Sequence, residues 1–286
     1  MIQRTFIPGD EWLYYKLYCG ARTADAILTE ALHPLTELLL KEERISQWFF
    51  IRYTDPEFHL RIRFYMKDTS YSGKVMSAMQ KALQPYVEED MVYDVQIATY
   101  QREIERYGAE TIALSESLFC HESVMLVPAI AVIADEKLYF LFILKVIDRL
   151  LDDFEYTLGE KSRLVSENAL AYKKEFQADR RLQKQLDKKY RGLDEELIAF
   201  LEAFPPDKEY EVLVQLLEEK ARKNAEIIQN ILHIKKNKPG APELNSLLGS
   251  YIHMLVNRAF RSRQRFYELV CYDFLKRYYS FRLNHP

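Results

Sequence analysis

Residues Trp48–Phe64 read WFFIRYTDPEFHLRIRF. Two runs rich in aromatic and branched apolar residues flank Thr54-Asp55-Pro56-Glu57, whose composition marks a tight connection. The stretch predicts a β-hairpin, and hence an antiparallel sheet in the N-terminal part of the chain. Side chains on a strand alternate between its faces. In the second run His59, Arg61, Arg63 and Tyr65 therefore share one face, and Leu60, Ile62, Phe64 and Met66 share the other. The apolar face asks for a core. The opposite face carries two permanently charged guanidiniums about 7 Å apart. An outward arginine pair on an edge strand has an ordinary structural explanation, because edge charges deter edge-to-edge pairing. The alternative is an anion held between them, since like charges so close are otherwise unfavourable.

Working outward, Glu11–Cys19 (EWLYYKLYC) has strand-like aromatic enrichment and stops near Gly20. Thr23–Glu43 places Ala24, Ile27, Leu28, Ala31, Leu32, Leu35, Leu38 and Leu39 at helical spacing, with Pro34 predicting a kink or break. Gly73–Tyr86 reads as a helix, and Tyr93–Tyr100 alternates like a strand. The first hundred residues thus read strand-helix-strand-strand-helix-strand. Beyond Gly108 the pattern turns helical: Ala109–Phe119, Ala129–Phe154, the charged stretch Glu160–Phe204 up to Pro205-Pro206, and Asp207–Lys236. Lys238-Pro239-Gly240-Ala241-Pro242 is the clearest loop, and one last long helix is expected from Leu244 to near Tyr279. The expectation is an α+β fold, a mainly antiparallel sheet from the N-terminal part packed with long helices from the rest. It is expected to form a single domain over residues 1–286.

Composition narrows the function. With 20 Tyr and 16 Phe but only 8 Gly and 10 Pro, the chain is rich in core-forming rings and poor in breakers, as long elements require. A net charge of −3 gives no global attraction to nucleic acid or anionic lipid, so direct nucleic-acid binding is not expected and any anion site must be local. Cys19, Cys120 and Cys271 are odd in number and widely spaced, which reads as reduced thiols in a cytoplasmic protein. The N-terminus lacks a secretory layout, and the apolar run Ser123–Leu144 is interrupted by Asp135-Glu136-Lys137, so no membrane span is expected.

The chain contains no G-x-S-x-G elbow, P-loop or G-x-G-x-x-G, and its six histidines make no H-x-x-x-H pair, so neither metal nor organic cofactor is expected. Chemistry-bearing residues remain in three places. The hairpin arginines are the first. The second is Tyr100–Gly108 (YQREIERYG), where Glu103 and Arg106 share a face if the turn is helical; a weak surface ion pair explains that spacing equally well. The third is the last helix, where His253 and Asn257 lie i, i+4 on one stripe. An asparagine there can hydrogen-bond an imidazole nitrogen and set its tautomer, a suitable arrangement for a general acid or base. A satisfied core histidine is the ordinary alternative. Arg258, Arg261, Arg263 and Arg265 are spread around a helix and form no basic stripe.

Together these stretches resemble the C-terminal glutamate-elimination domain of lantibiotic dehydratases, which also occurs as stand-alone proteins of thiopeptide-type bacteriocin biosynthesis. The resemblance rests on PGDEWLYYKLYCG at Pro8–Gly20, WFFIRYTDPEFHLRIRF, YQREIERYG and YIHMLVNR at Tyr251–Arg258, in that order and over essentially the whole chain. Ala109 departs from the pattern, the family often having a second glycine after R-Y-G. The resemblance implies removal of glutamate from glutamylated Ser or Thr of a ribosomal precursor peptide, leaving dehydroalanine or dehydrobutyrine. A separate, larger glutamyl-tRNA-dependent partner is implied for the preceding glutamylation. Arg61, Arg63, Arg106, His253 and Glu103 fall on the family's site positions and are the catalytic candidates; His59, Asn257 and Arg258 are the candidate substrate contacts. The four residues Arg61, Arg63, Arg106 and His253 are expected to converge on one pocket. Two other readings remain: a formal [4+2] cycloaddition of dehydroalanines, as in related stand-alone macrocyclases, and a non-catalytic leader-peptide-binding subunit using its sheet edge.

Overall fold

A computed structural model describes residues 2–204, 208–238 and 242–285. β1 (Thr5–Phe6) leads into β2 (Trp12–Cys19), which is followed by α1 (Ala21–Ala26) and α2 (His33–Lys41). The hairpin is present as β3 (Gln47–Tyr53) and β4 (His59–Tyr65). Then come α3 (Ser72–Glu88), β5 (Val92–Ala98), β6 (Tyr100–Gln101) and the single turn α4 (Ile104–Tyr107). The rest of the described chain is helical: α5 (Ile112–Val132), α6 (Glu136–Asp153), α7 (Leu158–Glu175), α8 (Arg180–Arg191), α9 (Asp194–Glu202), α10 (Lys208–Asn237), α11 (Leu244–Ala259) and α12 (Gln264–Asn284). This is the α+β arrangement read from the sequence.

The main sheet is antiparallel with order β3-β4-β2-β5, so β4 lies between two partners. Its register puts Tyr14 and Phe49 opposite Arg63, Lys16 and Ile51 opposite Arg61, and Tyr18 and Tyr53 opposite His59. Leu13, Tyr15, Leu17, Phe50, Leu60, Ile62 and Phe64 bury one face against α1–α3 and against Cys120 and Val127 of α5. On the other face Trp12, Tyr14 and Phe49 join the helical core through Phe119 and Tyr100, whereas the Lys16–Tyr18 end stays partly open. Helix α5 thus lies between two apolar clusters, which is why its sequence is apolar nearly all round.

Three expectations are corrected. The predicted strand to Tyr100 ends at Ala98, and Tyr100–Gln101 pairs instead with Thr5–Phe6 in a separate two-stranded sheet. Pro34 does not break its helix: a π-helical stretch, Ile27–Leu32, widens the turn ahead of it, and Pro34 occupies the first turn of α2, where a missing N–H is tolerated. The last helix is two. Phe260 is extended, Arg263 is left-handed (φ 53°), and α12 restarts at Gln264, although Phe260–Arg263 holds neither glycine nor proline. Tertiary contacts hold that bend: Phe260 stacks on Tyr267 at 3.9 Å, and Arg261 pairs with Asp25. Pro205-Pro206 and Pro239–Ala241 of the predicted loop lie outside the described residues. No helix among the described residues is long and apolar enough to cross a membrane.

Candidate functional site

Arg63 owes its setting to sheet register. Cross-strand neighbours lie side by side on one face, so Tyr14 and Phe49 flank the guanidinium, at 4.4 and 5.1 Å from ring centroid to Cζ, and Tyr100 closes the box at 4.8 Å. The side chain is buried, and its Nε and Nη1 face rings rather than acceptors. Burial lowers the Arg63 pKa from its usual value, with the nearby Glu103 carboxylate opposing that shift and Arg61 adding to it. Tyr100 is itself anchored: its hydroxyl donates to Glu116 at 2.7 Å, and Arg102 grips the same buried carboxylate through Nε and Nη2.

Two residues along β4, Arg61 lies flat on Tyr53 (3.4 Å) and donates from Nε to His59 Nε2 at 3.0 Å. His59 is buried between Tyr18 and Tyr53, with Nδ1 at 2.8 Å from the Glu57 carbonyl. Both of its ring nitrogens are therefore occupied by protein. The residue expected as a substrate contact thus bonds Arg61 in this structure.

Arg106 projects from α4, the turn after β6. It donates from Nε to Ser250 of α11 at 3.0 Å and pairs with Glu103 at 3.4 Å, as its i, i+3 spacing predicts. Gly108 ends this turn at φ 79°, and a Cβ there would come within 2.8 Å of Pro242 and 2.9 Å of Thr111, so only glycine fits. Arg106, Ser250 and His253 line one cleft of about 570 Å³ between α4, α7, α11 and the start of α12. His253 Nδ1 lies 2.9 Å from Glu268 of α12, a carboxylate 1 % exposed that also faces Arg265 at 3.6 Å. A carboxylate only accepts, so Nδ1 carries the proton and Nε2 is the basic nitrogen.

The four expected residues are thus brought together in pairs. Arg106 and His253 share the cleft; Arg61 and Arg63 do not line it and sit on the sheet face instead. Glu103 joins the two stations, pairing with Arg106 and acting electrostatically on Arg63. Asn257 does not set the His253 tautomer. Its amide accepts from the Arg52 N–H (2.9 Å) and donates to the Arg52 carbonyl (2.8 Å), on the outer edge of β3. Arg258, expected as a substrate contact, is fully buried, paired with Glu122 and stacked on Phe119, and it does not line the cleft. Among the described residues no group of His, Cys, Asp or Glu is arranged to hold a metal ion.

The profile of the lantibiotic biosynthesis dehydratase C-terminal family matches residues 12–279. The chain belongs to that family. Its relatives include subtilin biosynthesis protein SpaB of Bacillus subtilis, 28% identical over 267 residues, covering 90% of this chain and 24% of SpaB. Nisin biosynthesis protein NisB of Lactococcus lactis subsp. lactis is 30% identical over 135 residues, 46% of this chain and 13% of NisB. The chain thus spans about a quarter or less of the length of these relatives. Among solved structures, the tRNA-dependent lantibiotic dehydratase MibB from Microbispora shares the fold over 97% of this chain and 28% of its own (TM-score 0.76, 19% identity). The pyridine synthase TbtD from thiomuracin biosynthesis shares it over 95% of this chain and 100% of its own (TM-score 0.66, 14% identity).

Sequence reasoning missed Ser250, Glu268, Tyr14 and Tyr100. Ser250 was within reach, since Ser250, His253 and Asn257 follow i, i+3, i+7 on one stripe. Glu268 lies beyond an unforeseen bend, and the tyrosines come from strand register.

Proposed function

We propose that this protein removes glutamate from glutamylated Ser or Thr side chains of a ribosomally made precursor peptide, leaving dehydroalanine or dehydrobutyrine. The observation that carries the reading is the shared cleft of Arg106 and His253, in a chain of this family, with His253 fixed through Nδ1 and basic at Nε2. In the elimination, His253 Nε2 takes the Cα proton of the esterified residue. The C–H electron pair forms the Cα=Cβ bond, and the Cβ–O bond breaks toward the departing glutamate carboxylate. Arg106 meets the growing negative charge, and Arg61 and Arg63 supply further guanidinium donors for a substrate with two carboxylate groups once the bond has broken. Glutamylation itself falls to a partner, and no resident cofactor enters the scheme.

Incubating the protein with a glutamylated peptide and following the mass tests this reading. Loss of glutamate with formation of the dehydroamino acid is expected, and His253→Ala should leave the glutamyl ester intact while retaining the far-ultraviolet circular dichroism of the parent. A folded His253→Ala protein that eliminates at the parent rate would remove His253 from the mechanism. The second reading, cycloaddition of dehydroalanines, is favoured by the match to the full length of a pyridine synthase. An inert glutamylated peptide, together with cyclisation of a peptide already carrying dehydroalanines, would select it.

A further inference from the structure

His59 and Arg61 form a unit whose protonation state can be read from geometry. The Glu57 carbonyl, 2.8 Å from Nδ1, can only accept, so Nδ1 carries a proton. Arg61 Nε, 3.0 Å from Nε2, can only donate, so Nε2 presents a lone pair. The two contacts together admit one state, the neutral imidazole with its proton on Nδ1. The ring is held there by stacking on Tyr18, centroids 4.6 Å apart, and by Tyr53 at 5.5 Å. Tyr53 in turn carries the Arg61 guanidinium at 3.4 Å. Arg61 is thus fixed by one ring face and one imidazole lone pair, and its Nη nitrogens have no protein partner among the described residues.

We propose that His59 is a positioning residue for Arg61: the neutral imidazole holds the guanidinium on Tyr53, and protonation of the imidazole releases it. A proton on Nε2 would face the Arg61 Nε–H, donor against donor and cation against cation. The inference rests on the elimination reading only for what Arg61 then binds, a substrate carboxylate.

The surroundings favour the neutral form. Burial lowers the His59 pKa below the ordinary histidine value, and Arg61 and Lys16 push in the same direction. The Glu57 carbonyl and Asp55 oppose them. Around the ring stand the phenol rings of Tyr18 of β2 and Tyr53 of β3, and the Glu57 carboxylate accepts from the Tyr93 hydroxyl of β5 at 2.9 Å. Arg61 is therefore held while His59 is neutral, and freed as the pH falls through the lowered His59 pKa, below the ordinary value of about 6.5.

Nitrogen-15 NMR of the full chain tests this directly. At about pH 7.5 His59 should show the Nδ1–H tautomer, with an exchange-protected Nε–H resonance for Arg61. Lowering the pH should remove the Arg61 resonance in step with His59 protonation. Arg61→Ala should shift the His59 titration upward, because a lone-pair partner and a nearby cation are both lost. His59→Gln keeps a non-titrating acceptor oxygen within reach, so the Arg61 resonance should survive the same acid pH. If His59→Gln does not fold, the Arg61→Ala arm decides alone. An Nε2–H tautomer, an unmoved His59 titration in Arg61→Ala, or loss of the Arg61 resonance at the same pH in His59→Gln would each overturn the proposal. With a glutamylated peptide, acidification should raise KM in the parent and less so in His59→Gln. Absence of any elimination would defeat the reaction proposed above and leave the NMR result standing.

Discussion

Arg63 is a buried guanidinium held by ring faces and not by acceptors. A buried guanidinium ordinarily satisfies its donors on carboxylates or carbonyls, as Arg102 does on Glu116 and Arg52 does on Asp25. Arg63 instead rests on three ring faces, each cation–π contact of this desolvated kind contributing up to about 2 kcal/mol. Rings hold the charge in place and leave the hydrogen-bonding capacity unspent. Lysine would keep the charge but lose the planar fork and the stacking. We expect Arg63→Lys to fold and to eliminate glutamate about 10²- to 10³-fold more slowly than the parent. Single-turnover assays on a preformed glutamyl-peptide measure this, and parent-like turnover would mean that a point charge suffices there.

Between elements, the deciding contact is Asn257 against β3. The strand is a sheet edge, with its outer N–H and C=O groups unpaired by any other strand. The Asn257 amide completes both groups of Arg52, as a neighbouring strand would, and Arg52 Nε returns a bond to the Arg258 carbonyl at 3.0 Å. The helix that carries His253 is thereby registered against the hairpin that carries the arginines. Asn257→Ala would leave two backbone groups of a partly buried strand without partners, at a cost of about 1–3 kcal/mol for each group that water cannot reach. A lower urea midpoint and faster amide exchange at Arg52 are expected. Unchanged exchange at Arg52 would show that another group closes the edge.

At the scale of the whole molecule, two imidazoles make stability depend on pH. Burial lowers the pKa of both His59 and His121, the latter with Nδ1 against Asn224 at 2.8 Å and Lys223 and Lys220 nearby. A lowered value means that the folded protein binds a proton less readily than the unfolded chain, so unfolding takes up protons. The stability that these residues contribute is complete above about pH 6.5 and is lost as the pH falls through their lowered values. The urea midpoint should therefore drop between about pH 7.5 and about pH 5.5, and less so in His121→Gln. A midpoint independent of pH over that window would contradict the burial of both rings in neutral form.

Local pattern determined much of this protein. Period-two alternation in Trp48–Phe64 named the hairpin, its apolar face and the shared face of His59, Arg61 and Arg63, because strand geometry ties neighbours i and i+2 to one side whatever surrounds them. The i, i+3 pair Glu103–Arg106 and the turn-ending Gly108 were legible for the same reason. Tertiary structure decided what those residues touch. Which rings box Arg63 depends on the register of β2 and β3, and His253 meets Glu268 rather than Asn257 because α12 turns back at a bend with no breaker residue in it. That bend is held by Phe260 on Tyr267 and by Arg261 on Asp25, partners in the second case 236 positions apart. Contacts over such separations leave no periodic trace in a sequence, since they depend on how elements pack and not on how residues follow one another.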